Sequence, residues 1–233
     1  MDGFRLLTDP ILRNRVTFLH RAAPALTSSS YEKIDAVLIS HLHYDHLDFP
    51  SLRMLPEPLK LVIPGGSAPV LRKGGYEDLN ELRIGDSIRL GPLEVEAVFA
   101  DHVRKRGLVG PSADCLGYII SGSSKIYYPG DTRLFPEMAH LADDLEMALM
   151  PVWGWGFDRG RMHMGPREAA EALTLLKPRQ AIPIHWGTLV PLGTRFLKPS
   201  FLYFPPLEFA SWARQLAPEV KVHIVMPGES IDI

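Results

Sequence analysis

At 233 residues and 26.0 kDa, with 46% hydrophobic and 22% charged residues, the chain has the length and apolar content for one core. It has neither the composition of a disordered protein nor an uninterrupted apolar run long enough to span a membrane. Lys and Arg number 25 against 27 Asp and Glu, a formal net charge of -2 that excludes global attraction to nucleic acid or anionic lipid, and the single cysteine, Cys115, excludes a disulfide framework or a paired-thiolate zinc site.

The start, MDGFRLLTDP, lacks the basic-then-apolar pattern of a secretory signal, so a cytoplasmic protein is expected, with no membrane span. Ile34 to Ser40 is a β-branched and apolar run that stops at a group of histidines, which reads as a buried strand delivering the following loop to a site. Leu59 to Ile63 is a second short strand closed by Pro64-Gly65-Gly66, and Ser67 to Lys73 a helix ended by Gly74-Gly75. Ser87 to Leu90 and Leu93 to Phe99 flank Gly91-Pro92 as a hairpin, and Leu116 to Ile120 with Lys125 to Tyr128 form another. Met147 to Met150 and Ala181 to Ile184 are apolar strands on either side of a helix at Arg167 to Leu176, whose apolar residues have helical spacing. Thr188 to Pro206, with four prolines, is the least regular stretch; a helix at Leu207 to Leu216 and a strand at Val220 to Met226 close the chain. Hairpins mixed with strand-helix-strand units predict two sheets covered by helices.

Chemistry concentrates in His41-Leu42-His43-Tyr44-Asp45-His46, four potential metal ligands within six residues directly after a buried strand. Imidazole and carboxylate suit hard-to-borderline divalent ions, and a tight turn can aim different side chains at two neighbouring ions. Burying such a group without a metal or dense hydrogen bonding would cost several kcal/mol. His20, His140 and His223 stand alone and read as ordinary packed or surface residues.

HLHYDH matches the HxHxDH signature of the metallo-β-lactamase fold, and Asp101-His102, Pro129-Gly130-Asp131-Thr132 and Ile184-His185-Trp186-Gly187 resemble its later segments in the same order. The resemblance runs from about Leu6 to Gly187. It implies an α/β four-layer αββα sandwich of two mixed sheets covered by helices, with His41, His43 and His102 on one metal, Asp45, His46 and His185 on the other, and Asp131 bridging. Two divalent ions are implied, zinc first with manganese or iron as alternatives, acting on a small-molecule substrate. Such a pair lowers the pKa of a bridging water towards neutrality and polarises the scissile carbonyl or phosphoryl group. Asp45, Asp131 and His163 are then the candidate catalytic residues; His163 precedes the helix at Arg167 and could bind an anion or protonate a leaving group. Asp9, in LLTDP, stands where the family often has a carboxylate orienting a ligand histidine.

LLTDP, HLHYDH followed by Leu47-Asp48, and IHWGT look most like the branch holding L-ascorbate-6-phosphate lactonases and N-acyl phosphatidylethanolamine phospholipase D. β-Lactamase activity is disfavoured, because Cys115 is misplaced for the cysteine ligand of those enzymes. Arg104, Lys105 and Arg106 beside His102, with Arg159 and Arg161 in another loop, suggest phosphate recognition. Trp153, Trp155 and Trp186 are candidates for a pocket wall, and the apolar residues Phe196, Leu197, Phe201, Leu202, Tyr203 and Phe204 for a lid, a dimer contact or a cover over the core. Relatives generally begin with a further strand before the one leading into TDP, so residues 1–233 are expected to form one domain lacking that strand, with a sheet edge that invites a homo-oligomer. The working expectation is a metal-dependent hydrolase of a small, phosphorylated or otherwise anionic ester, lactone or phosphodiester. The alternatives are a nuclease or phosphodiesterase, for which no basic track is evident; a di-iron redox protein, which needs an electron-carrier partner; and a non-catalytic metal-binding protein.

Overall fold

The computed structural model describes residues 1–153, 162–193 and 199–232. In chain order come β1 (Leu6–Thr8), a short hairpin of β2 (Arg15–Val16) and β3 (Leu19–Arg21), then β4 (Ala36–Leu38), α1 (Phe49–Leu52), β5 (Leu61–Pro64), α2 (Ala68–Lys73) and β6 (Leu79–Leu82). The remaining elements are β7 (Ser87–Leu90), β8 (Leu93–Phe99), β9 (Leu116–Ser121), β10 (Lys125–Tyr128), β11 (Met147–Pro151), α3 (Pro166–Leu176), β12 (Gln180–Ile184), β13 (Leu189–Pro191), α4 (Phe204–Leu216) and β14 (Lys221–Val222).

Two large sheets stack between helices, and strand alternation shows how. In β4 and the residue after it, Ala36 and Leu38 belong to a core with Val95, Ala97 and Tyr118 of the facing sheet, whereas Val37 and Ile39 pack with Leu52 of α1 and Leu71 of α2. In β11, Leu149 turns to the core between the sheets, and Ala148 and Met150 turn to Ala169, Ala170 and Leu173 of α3 and Phe209 of α4. The order of layers is therefore helix, sheet, sheet, helix. β4 is buried on both faces, which is why it reads as an unbroken apolar run rather than an alternating one.

The seven-stranded sheet, in order β14-β12-β11-β10-β9-β8-β7, is mixed: β7 to β10 are antiparallel neighbours and β10, β11, β12 and β14 run parallel. The four-stranded sheet β1-β4-β5-β6 is parallel throughout, unlike the mixed pairing expected for both sheets. A third sheet, β13-β3-β2, joins the Arg15–Arg21 hairpin to a strand inside the proline-rich stretch that reads as irregular in sequence. Its strands of two or three residues are too short for a periodic signal. α4 begins at Phe204 instead of Leu207 because Pro205 and Pro206 fall in its first turn, where an N–H has no intrahelical acceptor to lose. The closing strand is shorter than expected, Lys221–Val222.

α3 shows the local logic well. Pro166 opens it, the Glu168 carboxylate accepts the N–H of Gly165 at 3.1 Å, and Lys177 in the left-handed region with Pro178 beyond it ends the helix. The carboxyl ends of β4, β8, β10 and β12 lead into the segments carrying His41 to His46, His102, Asp131 and His185 respectively.

Candidate metal centre

The HLHYDH loop is a tight turn closed by the N–H groups of His46 and Leu47 donating to the His43 carbonyl at 3.1 and 2.8 Å. It is pinned on two sides. Asp48 caps α1 by accepting from the N–H and hydroxyl of Ser51, and it takes a two-pronged ion pair from Arg13 at 2.7 Å per bond. Arg106 is buried beneath the loop: its guanidinium donates to the carbonyls of Leu42 and, at 3.0 Å, Leu47, and lies 4.1 Å from the centre of the Tyr44 ring.

His41, His43 and His102 offer ligand atoms within 4.8 Å of one another, and Asp45, His46 and His185 form a second such group. Asp131 reaches both. Its Oδ2 lies 3.1 Å from His46 Nε2 and 3.9 Å from His102 Nε2, and its Oδ1 lies 3.4 Å from His185 Nε2. Two overlapping groups, Asp9 with His41 and His46, and His102 with Asp131 and His163, show how tightly the cluster is drawn together.

Each of the five histidines in the two triads has one ring nitrogen committed to an oxygen. His43 Nε2 meets the Lys105 carbonyl at 3.1 Å, His102 Nδ1 the Met162 carbonyl at 3.0 Å, and His185 Nδ1 the Trp153 carbonyl at 2.7 Å. His46 Nδ1 meets Asp9 Oδ2 at 2.7 Å. A carbonyl or carboxylate can only accept, so these nitrogens carry the proton. Ser40 gives its hydroxyl proton to Asp9, so at 2.9 Å from His41 Nδ1 it too must accept. The other five nitrogens turn inward, the arrangement that partners of metal-ligating imidazoles impose.

A metal ion is implied by this donor set, and the geometry fits one. His41 Nε2, His46 Nε2 and Asp131 Oδ1 are buried with no hydrogen-bond partner among the described residues; leaving such atoms unmatched costs about 1–3 kcal/mol each. His43 Nδ1 and His102 Nε2 face each other at 3.1 Å with both protons placed elsewhere, lone pair against lone pair, which a shared cation resolves. Burial holds His41 well below the usual imidazole range, lowers His43 and pushes His102 down to about 4, so these three favour the neutral, ligating form. His46 differs: burial opposes its charge, but the carboxylates of Asp131 and Asp9 outweigh that and hold it well above the usual value. For Asp131, burial disfavours the anion, yet His185 and His46 hold it well below the ordinary carboxylate range.

Asp9 is central to this packing, and two groups that attract no attention as sequence, Ser40 and Tyr128, complete it. Asp9 Oδ1 accepts the Ser40 N–H at 2.7 Å, and Oδ2 accepts from Ser40, His46 and, at 2.6 Å, the Tyr128 hydroxyl. The available signal was position: each stands beside a ligand-bearing segment at the end of a buried strand. Gly130, with φ +61°, lets the Asp131 segment run against Ser40, since a Cβ there would lie 2.5 Å from Ser40 Cβ. His185 itself has φ +62°, a left-handed backbone rare outside glycine and often found at functional sites.

His163 is buried, with Nε2 3.1 Å from Asp131 Oδ2 and its ring 4.9 Å from that of His102. Trp153 and Trp186 line a cavity of about 290 Å³ beside Asp45, His46, Asp131 and His185. Trp155, Arg159, Arg161, Phe196 and Leu197 lie outside the described residues. Of the cations expected to bind phosphate, Arg106 is instead spent on backbone carbonyls under the loop, and Arg104 lies 3.5 Å from Asp114; neither lines the cavity. In the proline-rich stretch Leu202 joins the core on the α3 side, whereas Tyr203 and Phe204 are exposed.

The family model of the beta-lactamase superfamily domain matches residues 4–186. A protein of Methanopyrus kandleri described as a metal-dependent hydrolase is 30% identical over 239 aligned positions, covering 100% of this chain and 94% of its own length. Among solved structures, a metallo hydrolase from Ignicoccus hospitalis superposes with a TM-score of 0.63 at 25% identity, covering 85% of this chain and 79% of that one. An isothiocyanate hydrolase from gut bacteria of Delia radicum superposes with a TM-score of 0.71, covering 98% and 92%; at 18% identity it speaks for the fold alone. With the family match extending over both inward-facing triads, the chain belongs to the metallo-β-lactamase superfamily.

Proposed function

We propose that this chain is a metal-dependent hydrolase holding two divalent ions, zinc in the first instance, and cleaving a small ester, lactone or phosphodiester. The observation that carries the reading is the set of five histidines, each with one nitrogen tied to an oxygen and the other turned toward Asp131 and its partner triad. His41, His43 and His102 would hold one ion, Asp45, His46 and His185 the other, with Asp131 shared. Bound there, the ions supply an activated water at neutral pH and stabilise negative charge on the substrate oxygen. The relative from Methanopyrus kandleri carries the same general description, and LLTDP and IHWGT favour the branch of phosphorylated-lactone and phospholipid hydrolases.

The chain's own groups divide the remaining work. Asp9, Ser40 and three backbone carbonyls fix the tautomers, so the inward nitrogens are available as lone pairs without reorganisation. His163 Nε2, on Asp131 Oδ2 at 3.1 Å, is the side chain placed to deliver a proton to the departing oxygen. In the net reaction water adds to the carbonyl carbon or phosphorus, the bond to the leaving oxygen breaks, and that oxygen takes up a proton. Metal content by plasma mass spectrometry, on protein purified without chelator, tests the reading together with turnover of ester, lactone and phosphodiester panels. About two equivalents of one metal, reduced in Asp131→Ala, with turnover that follows metal loading, is the expected result. A folded protein that refuses zinc, manganese and iron overturns it.

A further inference from the structure

We infer that the substrate carries an uncharged, apolar substituent beside its scissile bond, seated against Ile11, Leu149, Trp153, Ile184, Trp186 and Leu189. The inference rests on the proposed hydrolase reading for the position of the scissile bond, and on the cavity itself for everything else.

The cavity arises from the unequal width of the two sheets. Four strands face seven, and the parallel sheet ends at β1, so the inner face of β11 and β12 runs past its edge. Leu149 and Ile184 on that inner face stay half-buried, while Ala148, Met150 and Ala181 on the opposite face are sealed under helices. The space left is about 290 Å³, closed at one end by Asp45, His46, Asp131 and His185, and walled elsewhere by the six apolar residues. The small β13-β3-β2 sheet contributes Leu189 to that wall. A group covalently attached to a bond held at the histidine cluster would enter this space first.

Its polar groups are already satisfied, which decides what that group can be. Asp9 accepts four hydrogen bonds, Tyr128 donates to Asp9, Trp186 donates to the Pro183 carbonyl at 2.8 Å, and Thr188 donates to the Trp186 carbonyl at 3.3 Å. Lys and Arg do not occur among the described lining residues, and Asp9, Asp45 and Asp131 do. A phosphate or carboxylate placed there would lose its water and meet carboxylates instead of cations. An alkyl or aromatic group loses nothing and removes apolar wall from water. The space continues into a wider groove of about 740 Å³ that shares Leu149, Ile184 and Trp186 and adds Leu6, Ile126 and Ile182, so a longer chain gains further contact.

The test uses the zinc-loaded, full-length protein and the neutral fluorophore N-phenyl-1-naphthylamine. Saturable binding is expected, displaced by 1-octanol at a concentration at least about tenfold below that needed with 1-butanol and unaffected by millimolar phenyl phosphate. Leu149→Lys should weaken probe binding at least about tenfold with metal content unchanged; should that variant fold poorly, the competition series on the unsubstituted protein still decides. In parallel, p-nitrophenyl butyrate should be cleaved faster than the p-nitrophenyl monoester of succinic acid, which differs by a terminal carboxylate. Displacement independent of alkyl length, or preference for the charged ester, overturns the inference even in a metal-loaded, active protein. Chain-length-dependent binding in a protein that holds metal but turns over no ester would uphold the pocket and sink the hydrolase reading instead.

Discussion

Asp9 Oδ2 accepts the Nδ1 proton of His46 at 2.7 Å from a backbone with φ +42°, so a residue in the uncommon left-handed region holds a candidate ligand in its metal-ready tautomer. Three further donations, two from Ser40 and one from Tyr128, keep that carboxylate in place. Burial first and the Asp9 charge second hold the Tyr128 phenol proton well above its ordinary range, so Tyr128 stays a donor. Asp9→Asn keeps the shape but removes the charge and one acceptor. Metal affinity should fall about 10–100-fold, measured by competition with a chromogenic chelator, with a near-native circular dichroism spectrum. Affinity equal to that of the unsubstituted chain would show that Asp9 is only a turn residue before Pro10.

Gly130 supports the same cluster from the other side. Alanine there would need φ +61° and would press its Cβ to 2.5 Å from Ser40 Cβ and 2.7 Å from Ser40 Oγ. A positive-φ backbone and overpacking together should cost about 2–4 kcal/mol. Because Ser40 bonds both His41 and Asp9, the urea midpoint should drop and zinc should bind more weakly. Gly85, also at positive φ (+88°) but with nothing within 4 Å of a built Cβ, is the control: Gly85→Ala should cost only the backbone part and leave zinc binding intact.

How much of this was legible in sequence follows from which interactions are local. The ligand-type residues of HLHYDH lie together because one turn holds them, and His102, Asp131 and His185 are each announced by a strand ending in short polar segments. Long strands such as Leu93–Phe99 carry enough alternation to be read. Arg15–Val16 and Leu189–Pro191 do not, because their pairing depends on partners about 170 residues away. The second ring of the site was legible in part. Asp9 has a motif around it, but the carbonyls of Lys105, Met162 and Trp153 are backbone atoms that no residue type advertises. Arg106 misleads for a related reason: beside Arg104 and Lys105 it looks like part of a solvated basic run, and only burial tells it apart.

Arg106→Lys separates the two uses of that cation. A guanidinium spans the carbonyls of Leu42 and Leu47 while stacking on Tyr44; a single ammonium cannot do all three. If Arg106 is a clamp, Arg106→Lys should lose about 1–3 kcal/mol by urea denaturation, and Arg106→Ala more, since buried carbonyls are left unmatched. Both should weaken zinc binding through the displaced loop. A phosphate-binding role predicts the opposite pattern, unchanged stability with a selective rise in KM for phosphorylated substrates. The stability measurement alone distinguishes them.

Cys115 should report on unfolding rather than on chemistry. Its thiol is buried, 3.6 Å from the Val103 carbonyl, and burial pushes its pKa up to about 12. Alkylation requires thiolate, so at pH 8 iodoacetamide should modify native protein at least about a hundredfold more slowly than protein in 8 M urea. The same shift has a consequence for stability. Both states hold the proton below about pH 8.5; above it the unfolded chain ionises first, so the folded state loses stability as pH rises toward the folded pKa. Cys115→Ala removes this contribution, and its stability should therefore fall less steeply between about pH 8.5 and 10 than that of the unsubstituted chain. Parallel curves would mean that the native thiolate is no harder to form than the unfolded one, and rapid alkylation of the native protein would establish the same thing by an independent route.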